Sequence, residues 1–286
     1  MKGASIGRRR EFFLWGMLLV YAMARVCQRY SDRLPALLIV VLHVVPPALF
    51  AAVHGSAVYR AKGMRWFAVL CLGVGSLSEI LGLRTGFPFG HYYFTEVMGP
   101  KIGQLPVMLA LAYLGIGYAA WTVALLILGC ANRPIRGTAM FAVPLLASFL
   151  MMAWDLSMDP VWATLDHAWI WRDGGRYFGV PGSNFFGWFL TGYLYYQGFA
   201  LYCAARKLPA GPAGRRFWAP AILLYAVCAL GNLLLLNLPM APAAADATGK
   251  RWLTADILGS CVLVSLGVMA PAAFLAWSKT RKRTAV

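Results

Sequence analysis

The chain has 286 residues, of which 60% are hydrophobic and only 13% charged, and its formal net charge is +16. A soluble domain carries roughly a quarter charged residues. Here the apolar excess runs the whole length in blocks of about 20 residues, the length that crosses a bilayer, which excludes a soluble enzyme. The basic residues fall in short clusters between these blocks and form no basic face, so they read as topology signals and not as a nucleic-acid footprint.

Taken in order, the blocks predict an all-α, polytopic membrane bundle of about eight helices, forming a single domain over residues 1–286. The first, Phe12–Cys27, follows Arg8-Arg9-Arg10 and has no small-residue cleavage pattern before Arg25, so it reads as a retained helix and not a removed signal peptide. Next come Leu34–Tyr59, Trp66–Leu83, Leu105–Ala131, Thr138–Met158, Asn184–Ala205, Phe217–Leu238 and Thr254–Trp277. An even number of crossings puts both termini on one side. That side collects Lys2, Arg8, Arg9 and Arg10; Arg60, Lys62 and Arg65; Arg133 and Arg136; Arg206, Lys207, Arg215 and Arg216; and Lys279, Arg281, Lys282 and Arg283, 17 basic residues in all. The other side receives 8: Arg29, Arg33, Arg84, Lys101, Arg172, Arg176, Lys250 and Arg251. The positive-inside rule therefore assigns both termini to the cytoplasm.

The six cysteines (Cys27, Cys71, Cys130, Cys203, Cys228, Cys261) lie in or beside apolar blocks, without CxxC or Cys/His spacing. They read as small apolar residues, and no metal site is expected. The two long polar connections, Arg84–Gln104 and Asp159–Ser183, fall on the extracytoplasmic side by this count. Connections of that length in a compact fold tend to be functional. Their aromatic, Gly and Pro content suits segments that fold back on the mouth of the bundle.

Asp155 and Asp159, in "MMAWDLSMDP", are two of only ten acidic residues and lie one helical turn apart on one face. Two carboxylates together in a low dielectric cannot both ionise easily, which would leave one as a proton donor and the other as a base. Equally, Asp159-Pro160 reads as a helix terminus with a solvated carboxylate. Glu79, in "GSLSEILGL", lies among small residues that permit close helix packing. It points at a neighbouring helix, either as a working carboxylate or in a salt bridge with Arg84 or Arg25. Asp256 suits the first turn of the last helix, where it complements the dipole. His91, in "PFGHYYF", could act in acid–base chemistry or as a metal ligand, although a lone histidine in an aromatic loop is more often structural. His43 and His54 have no partner spacing for a metal, and His167, beside Trp169, is expected to face solvent. The aromatic residues of the two loops partly form an interfacial belt. Around a cavity, the same rings would hold an apolar polyene and stabilise a passing cation.

The blocks "EILGLRTGFPFGHYYF", "WDLSMDP", "WIW" and "YFGVPGSNFFGW", in this order and spacing over about residues 65–200, resemble the carotenoid biosynthesis membrane family of CruF-type, bisanhydrobacterioruberin hydratase-like carotenoid 1,2-hydratases. The resemblance implies a cofactor-independent hydro-lyase in the cytoplasmic (inner) membrane of a prokaryote. Such an enzyme adds water across the terminal isoprenoid double bond of an acyclic or monocyclic carotenoid, giving a tertiary alcohol. Its partners would be the carotenoid, the bilayer and other membrane enzymes of the pathway. Asp155, Asp159 and Glu79 are then the catalytic candidates. The substrate-binding candidates are Phe89, His91, Tyr92, Tyr93, Trp154, Tyr177, Phe178, Asn184 and Trp188. The competing readings are an intramembrane prenyltransferase, with the aspartates holding magnesium and a diphosphate, and a carotenoid-binding protein or transporter with Glu79 and Asp155 as a proton relay.

Overall fold

A computed structural model describes residues 7–280, apart from 32, 207, 209–210, 213 and 237–239. Lys2, Lys207, Arg281, Lys282 and Arg283 of the charge count, and Leu238 at the end of the seventh predicted span, lie outside the described residues. The rest is mostly helical: α1 (Arg8–Cys27), α2 (Ala36–Thr85), α3 (Val107–Ile127), α4 (Ala139–Pro160), α5 (Gly182–Ala205), α6 (Arg215–Gly231), α7 (Thr254–Val264) and α8 (Ala270–Lys279). A π-helical turn, Ser265–Met269, joins α7 to α8 without interruption.

Five helices are long and apolar enough to cross a membrane: Ala36–Thr85, Val107–Ile127, Ala139–Leu165, Arg215–Leu235 and Thr254–Lys279. The first and sixth predicted spans are helical too but fall outside this set. α1 carries Arg8, Arg9, Arg10, Glu11 and Arg25, and α5 is diluted by Gly, Tyr, Asn and Gln. The second and third predicted spans are the two limbs of α2. They meet at Arg60, whose φ of 59° and ψ of 166° are non-helical. A methyl group on Gly55 would strike the Met64 side chain, and one on Gly63 would stand 2.8 Å from Tyr59 Cβ. Gly55 and Met64, nine residues apart, touch only if the chain doubles back, so α2 is a helical hairpin whose bend carries the basic cluster Arg60, Lys62 and Arg65.

α3 is apolar on every side and buried nearly throughout from Tyr113 to Leu126, the pattern of a helix at the centre of a bundle. It packs against α2, α4, α6 and α8. The approach to α2 is a backbone contact: a methyl on Gly115 would lie 2.7 Å from Pro47 Cβ and 2.8 Å from the Ala48 nitrogen. Backbone cannot swing aside as a side chain does. Gly115→Ala is therefore expected to destabilise the bundle by about 1–3 kcal/mol, seen as a lower Tm in detergent; unchanged melting would contradict the close approach.

The two long connections are not structureless. β1 (Tyr92–Phe94) pairs antiparallel with β4 (Trp169–Trp171), in the register Tyr92↔Trp171, Tyr93↔Ile170 and Phe94↔Trp169. Two further ribbons are β2 (Lys101–Ile102) with β3 (Leu105–Pro106) and β5 (Ala243–Ala245) with β6 (Arg251–Leu253). The β1–β4 ribbon ties the loop that follows α2 to the one that follows α4. Gly86, at φ 80°, closes α2 in the left-handed conformation that favours glycine and starts the first of these loops.

Candidate active site

Side chains alternate across a strand, and the register then fixes which aromatic rings of the ribbon turn inward. Tyr92, Trp169 and Trp171 are buried and Phe94 half-buried, while Tyr93 is exposed. The inward four help to line a small cavity of about 30 Å³, together with Glu79, Asp159, Asn184, Phe89 and Trp188. That is room for about one or two water molecules. Phe89 reaches this position because two glycines make space for it. A methyl on Gly82 would lie 2.8 Å from its ring, and one on Gly187 would overlap it.

Asp155 and Asp159 are both buried, at 0% and 1% exposure, so Asp159 is not a solvated helix terminus even though Pro160 closes α4. A π-helical turn, Val161–Leu165, carries the chain on inside the protein. Asn184, near the start of α5, bridges the pair. Its Nδ2 donates to Asp155 Oδ2 at 2.8 Å and to Asp159 Oδ2 at 2.6 Å. Asp159 Oδ1 accepts from Trp169 Nε1 at 2.9 Å and, more weakly, from Trp171 Nε1 at 3.4 Å. Asp155 Oδ1 is buried with no partner among the described residues. The two aspartates thus differ: three N–H donors converge on Asp159, while Asp155 has one oxygen open.

Glu79 stands on the second limb of α2 at 4% exposure. Tyr92 donates to its Oε2 at 2.5 Å and Tyr113 to its Oε1 at 2.7 Å. Arg84 and Arg25, the alternative partners read from sequence, do not pair with it; two phenols from β1 and α3 hold the carboxylate instead. Tyr113 also stacks on Trp188, with ring centroids 4.5 Å apart. No Lys, Arg or His side chain among the described residues lines the cavity. Among the described residues, no group of three or more His, Cys, Asp or Glu side chains is placed to hold a metal ion.

The other candidates are distributed unevenly. Trp154 packs edge-on against Trp188 one layer behind the cavity. Tyr177 donates to the Leu156 carbonyl and packs on Phe178, which in turn packs on Trp252, so both support the loop and stay off the cavity lining. His91 and Tyr93 both face outward. The His91 side chain is 62% exposed, and its Nδ1 lies 2.7 Å from Asp173 Oδ2, while Tyr93 lies under the Arg172 guanidinium. Strand alternation decides this, since Tyr92 turns in and Tyr93 out. An exposed pair of this kind is worth about 0–1 kcal/mol, so His91→Ala is expected to leave product yield within about twofold of wild type; a large loss would return His91 to the site. His54 is walled in by Phe50, Tyr118, Phe217 and Trp218 and bonds to Tyr118 and the Phe217 carbonyl. His43 bonds to the Ile39 carbonyl, and His167 is exposed.

The sequence reading missed Tyr113, Trp169 and Trp171 as site residues. The W-x-W spacing of "WIW" carries the signal for the two indoles, because it puts both on one strand face. Tyr113, by contrast, sits in a helix apolar all round, where no periodicity marks it.

A sequence profile for carotenoid biosynthesis proteins matches residues 35–249 of the chain. The chain belongs to the carotenoid biosynthesis protein family. The matched stretch contains every residue of the carboxylate cavity. A curated relative, bisanhydrobacterioruberin hydratase of Haloarcula japonica, is 31% identical over 134 residues, which is 46% of this chain and 43% of that protein. The match thus spans less than half of the relative's length. No solved structure matches this carotenoid biosynthesis protein.

Proposed function

We propose that the chain is a carotenoid hydratase, a hydro-lyase working without a cofactor, which adds water across the terminal isoprenoid double bond of an acyclic or monocyclic carotenoid. The observation that carries this reading is the convergence of Glu79 and Asp159, from two different helices, on one buried cavity walled by aromatic rings and free of cationic side chains. The family and the hydratase relative support the substrate class.

In this reading the aspartate pair supplies the proton. It passes from Asp159, the member that faces the cavity, to the less substituted alkene carbon. The π electrons form the new C–H bond and leave a tertiary cation, which the faces of Trp169, Trp171, Tyr92 and Trp188 stabilise. A water oxygen bonds to the cationic carbon, and Glu79 takes the released proton. One water is added overall, and return of the proton from Glu79 to the aspartates resets the site. Asp155 accepts from the same Asn184 amide as Asp159, which holds the two carboxyls side by side. An isoprenoid end group exceeds the cavity's volume, so its entry parts the aromatic walls. Prenyl transfer would need Lys or Arg beside the aspartates to hold a diphosphate, and the lining offers neither.

We read the eight helical segments as eight crossings with both termini cytoplasmic, in the inner membrane of a prokaryote, on the strength of the 17 to 8 distribution of basic residues. The test of function is expression in a host that accumulates an acyclic carotenoid. The expected product is heavier by one water and carries a tertiary hydroxyl; recovery of the carotenoid unchanged, or of a prenylated product, would refute the assignment.

A further inference from the structure

A second and much larger cavity shares no lining residue with the carboxylate site. It encloses about 580 Å³ where the turn between α1 and α2 meets the π-helical turn after α4 and the start of α7. That volume falls within the range of small-molecule sites, about 300–1,000 Å³. Its wall is mixed. Gln28, Arg29, Arg33 and Asp166 supply polar groups, and side chains such as Ile39 and Leu258 supply apolar surface.

Gln28 is the feature that points to a ligand. It is only 4% exposed, it lines the cavity, and its Oε1 is buried with no partner among the described residues. A buried acceptor left unpaired costs roughly 1–3 kcal/mol, which a ligand hydroxyl would relieve. One turn earlier, Arg25 is also buried. Its Nη2 donates to Asn232 Oδ1 at 2.5 Å, but its Nε has no partner, and among the described residues it pairs with no carboxylate. Arg29 donates through Nη1 to the Leu234 carbonyl. Among the described residues the lining holds two guanidinium groups, Arg29 and Arg33, against one carboxylate, Asp166, so the polar end of the cavity favours an anion. Burial pushes the Asp166 carboxyl up to about 6, so near neutrality it still carries most of its charge and offsets one of the two guanidinium groups.

We propose that this cavity binds the headgroup of an anionic phospholipid bearing free hydroxyls, as in a phosphatidylglycerol. The phosphodiester lies against Arg29 and Arg33, the headgroup hydroxyls donate to Gln28 Oε1 and Asp166, and the chains leave along the apolar wall. A lipid fits better than a soluble phosphate because the lining is partly apolar and the cavity lies at the ends of α1, α2 and the α7–α8 helix. A lipid seated there keeps its headgroup at the ends of the helices and its chains in the hydrocarbon layer.

Native mass spectrometry of the detergent-purified full chain tests this, with phosphatidylglycerol, phosphatidylcholine and glycerol phosphate added separately. The expected result is saturable retention of phosphatidylglycerol over phosphatidylcholine, weakened at least fivefold in Gln28→Leu and in Arg29→Gln. Arg33→Gln, at an exposed position, guards against misfolding and is expected to weaken retention as well. Equal retention of the two lipids, or unchanged retention in all three variants, would overturn the proposal. Glycerol phosphate binding as tightly as the lipid would overturn it too, by assigning the cavity to a soluble phosphate.

Discussion

Asp159→Asn is expected to lower hydration by roughly 100-fold or more, the range that a positioned acid–base group contributes. The amide preserves size and can still meet Asn184, so the bundle should fold, but it has no transferable acid proton. Its NH2 would also face the indole N–H groups of Trp169 and Trp171, which now converge on Oδ1. Unless the amide turns its oxygen toward them, donor meets donor. Glu79→Gln is expected to fall in the same range through loss of the base, with Tyr92 and Tyr113 still able to donate to the amide oxygen. Product quantified against folded protein checks both. Wild-type turnover in either variant would remove that residue from the chemistry.

Asn184→Leu carries the second large effect, this time on stability and activity together. One side-chain nitrogen serves two buried carboxylates, and it is the sole donor that Asp155 has among the described residues. Leucine fills similar volume without donating. Each carboxylate oxygen left unpaired in the interior costs about 1–3 kcal/mol, so a combined loss of roughly 2–5 kcal/mol is expected. The variant should melt well below wild type in detergent, and its surviving folded fraction should hydrate poorly, because the two aspartates are no longer held in one arrangement. A variant that melts with wild type and keeps its turnover would show that the bridge positions nothing.

The contrast between these residues and others shows what could be read from the chain. The helices were legible because apolar blocks of bilayer length alternate with basic clusters, and the reversal at Arg60 coincides with one such cluster. Asp155 and Asp159 stood out because acids are scarce and these two are spaced by one turn. What they bond to was not legible. Asn184 lies 25 residues beyond Asp159, and Tyr113 lies 34 beyond Glu79, separations that only helix packing can close. The β1–β4 register was hidden in the same way, since neither "YYF" nor "WIW" names its partner. The orientation of His91 was not legible either: it lies inside a motif block, and its side chain faces out of the fold and meets Asp173. Local pattern thus gave the elements and the scarce charges, and tertiary pairing selected which neighbours make a site.

The most direct test of the central claim, that buried carboxylates hydrate a carotenoid end group, is to incubate purified protein with an acyclic carotenoid in water enriched in heavy oxygen. The account predicts a tertiary alcohol whose new oxygen is the heavy isotope, formed by wild type and nearly absent with Asp159→Asn. An alcohol bearing unlabelled oxygen, or equal labelling by both proteins, would contradict it.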